Sequence, residues 1–593
     1  MKSEIQYING MPTLFADGKA IPPLAYTTYF DECGEWSDFI KSGYRIFFVN
    51  VSFTTLPINN VTGFSPFLKG IFETEAPDYS DFDNTVRSII AECEDALIFP
   101  RINLAMPTRW INENPDETVK TPNGGLRESM LSDAFKRDGV KLLERLVLHI
   151  RSSDYSDRIA GYQLCGGTTQ EWMHHDLFGS YSEKGAEKFR KWAAEKYGEE
   201  NIRMPLREEL SCSEAPEVKK YYEFSNEMNA KTVEFFARSL KELINNEQIV
   251  GVFYGYIAFV NDVLAGLHGL RFIAASPYID FFSSPCAYED HRRMGIDWGD
   301  MLPVDSLKLH GKLCFIECDI RTCLTKRMQE SRPGVYPENI YTLFDENGNK
   351  TVWCGPDSIS LSLSAIRKAF ARQTIKGSGI WWFDMWGGWY HNSEIMAEIS
   401  KMHSAYEQLT SIKKDGLPRA ETVFFVDEEA YLNIPRGERL IHCVNSIRIA
   451  MGNTGIPFDI YMVEDAPQVL HRYKAAIFSA PIPSDSGVRA VEICKQLCIP
   501  YIQSDTKKAF YNTDELRAFL VSQGVHCYNE DGCVIYCGNG ILGIHTVSEG
   551  EAKIRLPKPF RVKGLFGAAE TEYETDVIAL NGQKHGTVIY QLR

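Results

Sequence analysis

Glutamates follow two predicted strands of this sequence, and a group of indoles follows a third. Glu317 lies in the otherwise apolar run LCFIECD of residues 313–319, and Glu171 comes soon after the strand-like run GYQLC of residues 161–165. The third run, IWWFDMWGGWYH, spans residues 380–391. An ionisable group inside an apolar strand is costly unless it is paired or used. These positions are therefore the first candidates for a chemical role.

Two carboxyl groups are what the hydrolysis of a glycosidic bond requires, because one protonates the leaving oxygen while the other attacks or shields the anomeric carbon. Glu317 has the same strand parity as Asp319, and Arg321 follows, so we expect a cation to keep Glu317 ionised, as a nucleophile needs. Trp172 is an apolar neighbour able to raise the pKa of Glu171 toward that of a general acid. The structural alternative is that Glu317 only pairs with Arg321 and that Glu171 starts a helix.

Aromatic and polar residues at the same strand ends are candidates for binding a sugar, since the CH-rich face of a sugar buries well on an indole. Adjacent strand residues alternate, so one of Trp381 and Trp382 is expected to face the helices. The candidates for a platform beneath the sugar are Trp382, Trp386, Trp389 and Tyr390. Asp384 and His391 are candidates for binding sugar hydroxyls, and a role in loop structure is the alternative for both. The other candidates for substrate binding are Arg101, Asn103, Trp110, Tyr254, Tyr256, Arg321 and Trp172.

The elements that position these residues alternate between short β-rich runs and longer amphipathic stretches, the pattern of βα units around a parallel sheet. The eight predicted strands span residues 23–29, 44–51, 96–105, 159–165, 249–256, 279–284, 313–319 and 379–384. Eight βα units in about 400 residues predict an α/β fold, a TIM barrel enlarged by loop insertions, in which catalytic groups follow the carboxyl ends of the strands. Residues 5–18 are predicted to form a hairpin that closes the bottom of the barrel.

Past the linker-like run KKDGLP at 413–418, the pattern starts again. We predict three domains: a catalytic barrel over 1–412, a small flavodoxin-like α/β domain over 418–524 and a β-sandwich-like domain over 525–593. The run GNGILG at 538–543 matches G-x-G-x-x-G, but strand-like residues follow it instead of a helix. A hairpin with glycine turns is therefore expected there, rather than a dinucleotide site.

Composition excludes several classes of protein. The 593 residues carry 63 Lys plus Arg against 79 Asp plus Glu, a net charge of -16, which argues against nucleic acid or an anionic membrane as a partner. No signal-peptide core and no run of about 20 apolar residues occurs, so a cytoplasmic protein is predicted. Aromatic residues reach 12%, which suits a protein that stacks sugars as well as one with a large core.

Metal binding is not predicted, although two groups of residues invite the question. The 15 cysteines are scattered without a CxxC pair, and Cys314, Cys318 and Cys323 read as core packing. His174 and His175 are consecutive and cannot point the same way, and the sequence places no third ligand near them. A loop or subsite role is expected for this pair, and no cofactor is predicted.

The layout of eight strands with glutamates after the fourth and the seventh resembles clan A of the retaining glycoside hydrolases. The order of barrel, flavodoxin-like domain and C-terminal β-domain resembles family 42 β-galactosidases and their relatives, such as family 164 β-mannosidases. The resemblance implies that Glu317 is the nucleophile and Glu171 the acid/base, and that Tyr254 or Tyr256 hydrogen-bonds the nucleophile. Family 42 has an Asn-Glu pair at the end of the fourth strand, whereas here Gln170 precedes Glu171 after an intervening GGTT. The chain therefore looks like a divergent branch.

The resemblance implies a retaining exo-β-glycosidase that acts on short oligosaccharides or glycosides by double displacement. β-Galactosidase is the first expectation and β-mannosidase the second, while a transglycosylase of the same architecture stays open. The alternative from another class is a catalytically silent sugar-binding protein. The middle domain resembles the β-galactosidase trimerisation domain, so a homotrimer is expected.

Overall fold

The computed structural model describes residues 1–9, 11–255, 262–288, 292–410 and 416–593. Its largest unit is a closed barrel of eight parallel strands that follow one another in chain order. The strands are Leu24–Thr27, Ile46–Ser52, Leu97–Asn103, Gly161–Cys165, Ile249–Phe253, Phe281–Pro285, Leu313–Cys318 and Gly379–Phe383. The predicted barrel is confirmed, and all eight strands lie where the sequence places them.

Aromatic rings fill the lower interior of the barrel. Phe48, Phe99, Phe281 and Phe315 pack together with ring centroids 4.8 to 6.3 Å apart. Gly251 makes room for them, because a Cβ at this position would lie 2.1 Å from the ring of Phe281. Side chains of one strand alternate between its two faces, so the next inward positions, two residues further along, come to the upper half of the barrel interior.

Helices surround the barrel and cover its outer face. The α-helices of this part of the chain are Trp36–Lys41, Ser80–Glu92, Thr108–Glu113, Asp133–Ser152, Glu183–Tyr197, Pro216–Leu243, Leu270–Ile273, Val304–Leu309, Met328–Ser331, Ile359–Lys376 and Ser393–Thr410. Local sequence explains several ends: Ser132, Ser182 and Ser358 cap N-termini by accepting hydrogen bonds from backbone N–H groups. Gly198 and Gly377 end two helices in the left-handed conformation.

The N-terminal segment forms an antiparallel sheet of three strands, Ser3–Ile8, Met11–Ala16 and Lys19–Ile21. The predicted hairpin is present, and the third strand extends it. Ser3 ties this sheet to the bottom of the barrel, because its hydroxyl bonds Ala160 O and accepts a hydrogen bond from Ile249 N.

The second unit is a parallel sheet with the strand order Phe458–Met462, Thr422–Val426, Ala475–Phe478 and Tyr501–Gln503. Its helices are Cys443–Gly452, Ala466–Val469, Asp485–Gln496 and Thr513–Ser522. Placing the first strand second in the sheet is the flavodoxin-like arrangement that the sequence predicts.

The third unit is one antiparallel sheet of five strands, Val534–Gly538, Ile541–His545, Gly550–Phe566, Glu572–Gly582 and Thr587–Leu592. The prediction of a sandwich is wrong, since the runs at 552–555 and 561–566 join into one long strand with an irregularity between Arg555 and Phe560. The predicted hairpin at 538–543 is confirmed. Its glycines allow close packing on the helix Ile359–Lys376: a Cβ on Gly543 would lie 2.7 Å from the Ala371 Cβ.

None of the helices in the described parts of the chain is both long and apolar enough to cross a membrane.

Candidate active site

Glu317 points into the upper interior of the barrel, where a tyrosine joins it to a second carboxyl group. Its side chain is buried, and the hydroxyl of Tyr288 lies 3.0 Å from Glu317 Oε1 and 2.8 Å from Asp319 Oδ2. A phenol has a single hydrogen and can donate to only one of these carboxylates at a time. The two acids therefore compete for one hydrogen-bond donor.

Two arginines bind Asp319, and within the described parts of the chain no cation forms an ion pair with Glu317. Arg292 Nη1 lies 2.5 Å from Asp319 Oδ1, and Arg321 Nη1 lies 2.6 Å from Oδ2. The expected pairing of Arg321 with Glu317 is therefore wrong, because Arg321 turns to the acid two residues before it. Burial raises the pKa of Glu317 to about 8 and the charge of Asp319 adds to the rise, while Arg101 and Tyr288 oppose it.

Arg101 lies beside Glu317 in an aromatic surround within the barrel. Its guanidinium carbon is 4.8 to 5.3 Å from the ring centroids of Tyr29, Phe253, Trp381 and Phe383. Such cation–π contacts hold a buried cation without neutralising it. Arg101 thus keeps its positive charge close to Glu317 and stabilises the ionised form of that acid.

Glu171 is presented by a tightly wound loop at the end of the fourth strand. Thr169, Gln170 and Trp172 have φ values of 58°, 72° and 63°, a left-handed conformation that costs non-glycine residues about 1–3 kcal/mol each. Backbone bonds close the loop, including Trp172 N to Gly166 O at 2.6 Å. The Trp172 ring is fully buried, and its indole N–H donates to Leu164 O, so it anchors the loop. The prediction that Trp172 binds substrate is therefore wrong.

The loop is also held from behind by a buried histidine. His175 lies 3.0 Å from Glu128 through Nε2 and 2.7 Å from Asn60 Nδ2 through Nδ1. Asn60 N in turn donates to the hydroxyl of Thr168 in the Glu171 loop. The ring nitrogens of His174 contact Ser180 and Ser225. Both histidines therefore support the loop, in agreement with the expected loop role.

A cavity of about 360 Å³ opens above these residues, and Glu171, Tyr288 and Tyr29 are part of its lining. Glu171 and Tyr288 line the same cavity, and the Tyr288 hydroxyl lies 3.0 Å from Glu317 Oε1. The two glutamates predicted from separate strands therefore meet at one place in the structure.

The aromatic wall of the cavity is built from Trp386, Trp353 and Tyr341. Tyr341 lies 4.4 Å from Trp353 and parallel to Trp386 at 6.3 Å, centroid to centroid. Of the four residues predicted for the platform, Trp386 alone lines the cavity, and Trp389 stands edge-on behind it at 5.1 Å.

Two predicted platform residues lie on the outer face of the barrel. Trp382 donates its indole N–H to the Tyr44 hydroxyl at 2.7 Å, and Tyr390 donates to Cys318 O at 3.0 Å. Because strand residues alternate, Trp381 is the inward indole and Trp382 faces the helices. Both residues stabilise the wall, and the prediction that they bind substrate is wrong.

The predicted hydroxyl binders after the eighth strand also have other partners. Asp384 is buried, accepts a hydrogen bond from Trp389 N and contacts the Tyr26 hydroxyl at 3.3 Å, so it shapes its own loop. His391 has a side chain 64% exposed and pairs with Asp38 and Glu35 outside the cavity. The loop-structure alternative is the correct one for both residues.

Of the other residues predicted to bind substrate, some lie in the barrel interior and others lie away from the cavity. Asn103 stays inside the barrel and donates to Ser52 Oγ at 3.2 Å. Trp110 donates to Asp138, and Tyr254 donates to Gly266 O, so both contact structural groups instead of the cavity. Tyr256 lies outside the described residues. The tyrosine that contacts Glu317 in the described structure is Tyr288, three residues past the sixth strand. The prediction is therefore wrong for Tyr254, and for Tyr256 it stays a prediction.

Sequence reasoning missed Tyr29, Tyr288, Tyr341 and Trp353. Tyr29 and Tyr288 each follow a barrel strand by two or three residues, and scanning every strand end for tyrosines would have found them. Tyr341 and Trp353 belong to the long connection after the seventh strand, where no periodicity marks which side chains turn inward.

The architecture occurs in solved β-galactosidase structures, whereas no protein-family model and no curated protein matches the sequence. A β-galactosidase from Bacillus circulans sp. alkalophilus is similar over 97% of this chain and 99% of its own, with a TM-score of 0.61 and 11% identity. One from the psychrophilic Marinomonas ef1 is similar over 96% and 100%, with a TM-score of 0.61 and 12% identity. A catalytic mutant of a GH42 β-galactosidase from G. stearothermophilus is similar over the full length of both chains, again at 0.61 and 12%. The chain thus has the fold of these enzymes from end to end, as its resemblance to family 42 predicts.

Proposed function

We propose that the protein is a retaining glycoside hydrolase in which Glu317 is the nucleophile and Glu171 the acid/base. The observation that carries the proposal is that Glu171 shares a cavity with Tyr288, whose hydroxyl lies 3.0 Å from Glu317, at the mouth of a barrel with GH42 architecture. Two carboxyl groups at the ends of the fourth and seventh strands are the minimum that double displacement needs. The indoles of Trp386 and Trp353 beside them suit the CH-rich face of a sugar.

In the first step, the carboxylate of Glu317 attacks the anomeric carbon while Glu171 transfers its proton to the glycosidic oxygen, and the bond to the leaving group breaks. In the second step, Glu171 takes a proton from water, whose oxygen attacks the same carbon and releases Glu317. Two inversions at one carbon give net retention of configuration.

Tyr288, Asp319 and Arg101 set the charge of the nucleophile in this proposal. Arg101 and the Tyr288 hydroxyl favour ionised Glu317, whereas burial and Asp319 raise its pKa to about 8. Arg292 and Arg321 compensate Asp319. The balance of these effects favours the protonated form of Glu317 over a wider pH range than for an ordinary glutamate.

A β-galactoside is the first substrate to test and a β-mannoside the second, in the order that the resemblance implies. Both are needed, because the two sugars differ in hydroxyl orientation and their discrimination depends on the placement of individual hydrogen bonds. We also propose exo action and a homotrimer, which rest on the resemblance of the middle domain. Light scattering of the purified protein tests the trimer, and a monomeric mass would contradict it.

The test is a panel of 4-nitrophenyl β-glycosides with the wild type, Glu317→Gln and a control variant. Glu183→Gln makes the same change at an exposed helix start and is expected to leave activity unchanged. Turnover of one sugar with release of its β-anomer, seen by NMR, and its loss in Glu317→Gln support the proposal. Release of the α-anomer contradicts retention, and no turnover of any sugar favours a sugar-binding protein. Transfer of the sugar to an added acceptor instead of water would indicate a transglycosylase.

A further inference from the structure

A second cavity, of about 700 Å³, adjoins the candidate active site on the other side of Tyr29. It is formed by the loops after the first and second barrel strands and by one side of the helix Ser80–Glu92. Tyr29 belongs to the lining of both cavities, so the two compartments meet at this residue at the carboxyl end of the barrel. The chemistry proposed above uses only the first compartment.

Asn50 marks the second compartment as a polar binding site. It is only 7% exposed, and its Nδ2 donates to Thr28 O at 2.6 Å and to Asp31 Oδ1 at 3.0 Å. Its Oδ1 lines up with no hydrogen-bond donor in the described parts of the chain. A buried acceptor without a donor destabilises the folded protein, and a ligand hydroxyl in the cavity would supply the missing donor.

The charges around this compartment are already paired. Glu32 accepts two hydrogen bonds from Arg332, at 2.6 and 3.0 Å, and Lys69 lies 3.0 Å from Asp81. Burial raises the pKa of Asp31 to about 8, which favours the uncharged form of this carboxyl. The compartment therefore suits a neutral ligand with many hydroxyls better than an ion.

Trp36 gives the compartment an apolar surface of fixed orientation. Its indole N–H donates to Asp31 O at 3.1 Å, and its ring stands edge-on to Tyr26 and Phe47 at 5.0 and 6.0 Å. A rigid indole beside hydrogen-bonding groups is the combination that binds one face of a sugar ring.

We propose that the second compartment binds the leaving-group part of the substrate, a neutral sugar unit, while the first compartment binds the sugar that is transferred to Glu317. This inference rests on the proposed function and makes it more specific: the natural substrate is a disaccharide or longer saccharide. Trp36 and Asn50 then determine which leaving sugar is accepted and take no part in the chemistry.

Trp36→Ala and Trp36→Phe test the proposal with two substrates that carry the same transferred sugar. One is a disaccharide, and the other is the glycosyl fluoride, whose leaving group is too small to fill the second compartment. We expect kcat/KM of Trp36→Ala to fall at least tenfold on the disaccharide and less than twofold on the fluoride, with partial recovery in Trp36→Phe. Equal effects on both substrates, or no effect on either, would overturn the proposal.

Filling the compartment gives an independent test. Thr85 lines it from the helix Ser80–Glu92, whereas Arg87 lies on the same helix outside the lining. Thr85→Trp is expected to slow the disaccharide at least tenfold and to spare the fluoride, and Arg87→Trp to spare both. A Thr85→Trp enzyme with normal disaccharide turnover would contradict the proposal. If the wild type hydrolyses neither substrate, the proposed function itself has failed.

Discussion

The hydroxyl of Tyr288 lies 3.0 Å from Oε1 of Glu317 and is the closest neutral donor that the described structure gives this acid. A hydrogen bond to the ionised form of a carboxyl lowers its pKa, so Tyr288 opposes the burial and the Asp319 charge that raise the pKa of Glu317 to about 8. The pair therefore controls how much of the nucleophile is ionised at a given pH.

The pH dependence of kcat/KM is expected to reflect this raised pKa. Because the proposed nucleophile, Glu317, would react as a carboxylate, activity should rise with pH through the pKa of Glu317 and fall away below it. The acid limb of the profile is therefore expected near pH 8, and not near pH 4.5, the ordinary value for a glutamate. Initial rates between pH 4 and 10 measure it, and a limb below pH 5 would contradict the raised pKa.

Tyr288→Phe removes the donor and keeps the ring. Hydrogen bonds to charged groups contribute about 1.5–3 kcal/mol, so the acid limb is expected to move about one to two pH units higher. Tyr341→Phe is the control, because its hydroxyl contacts Asn59 and not Glu317. The limb should stay in place in that variant even if KM changes. An unmoved limb in Tyr288→Phe would show that the hydroxyl does not act on the nucleophile.

Trp382, within the eighth strand, and Trp386, just past its end, should respond differently to substitution. Trp386→Ala removes part of the cavity wall, so we expect KM to rise by about tenfold with a smaller change in kcat. Trp382→Phe removes the hydrogen bond to Tyr44 on the outer face, so we expect a lower melting temperature and an unchanged KM. Thermal unfolding and steady-state kinetics of both variants measure these effects. A raised KM in Trp382→Phe would mean that Trp382 takes part in substrate binding.

Much of the barrel and both glutamates could be predicted, because strand period and strand order depend on local sequence. Glu317 stands out as an acid in an apolar strand, and it shares the strand parity of Phe315, whose ring packs in the barrel interior. Local sequence does not reveal which of Trp381 and Trp382 faces the interior, since both are apolar and both faces of a barrel strand are buried. Trp353 comes to the cavity through a long connection whose course depends on contacts with distant residues.

Glu128 should stabilise the protein in a pH-dependent way. Burial raises the pKa of this acid, but Arg127 and His175 outweigh the effect and lower the pKa to about 2 from 4.5. A lowered pKa contributes stability that is present above pH 4.5 and is lost as the pH falls toward 2, about 3 kcal/mol in all at 1.36 kcal/mol per unit.

Glu128→Gln is therefore expected to lower the free energy of unfolding strongly at pH 7, and the difference from the wild type should shrink by roughly half at pH 3. Denaturant titrations at the two pH values measure it. Glu113→Gln, at an exposed acid that forms only a surface pair with Arg109, provides the control and should have little effect at either pH. A difference that does not depend on pH would contradict the role of the Glu128 charge.

Glu171→Ala separates the two steps of the proposed reaction. Without a proton donor, glycosides with poor leaving groups should lose about 10²–10⁴-fold in kcat/KM, while a dinitrophenyl glycoside should still form the glycosyl-enzyme, because its leaving group needs no proton. Added azide occupies the space of the missing carboxyl and is expected to restore turnover and to give the β-glycosyl azide. In Glu317→Ala the same anion would attack the substrate directly and give the α-azide. Equal losses on activated and unactivated substrates in Glu171→Ala, or an α-azide from that variant, would assign the acid/base role to another residue.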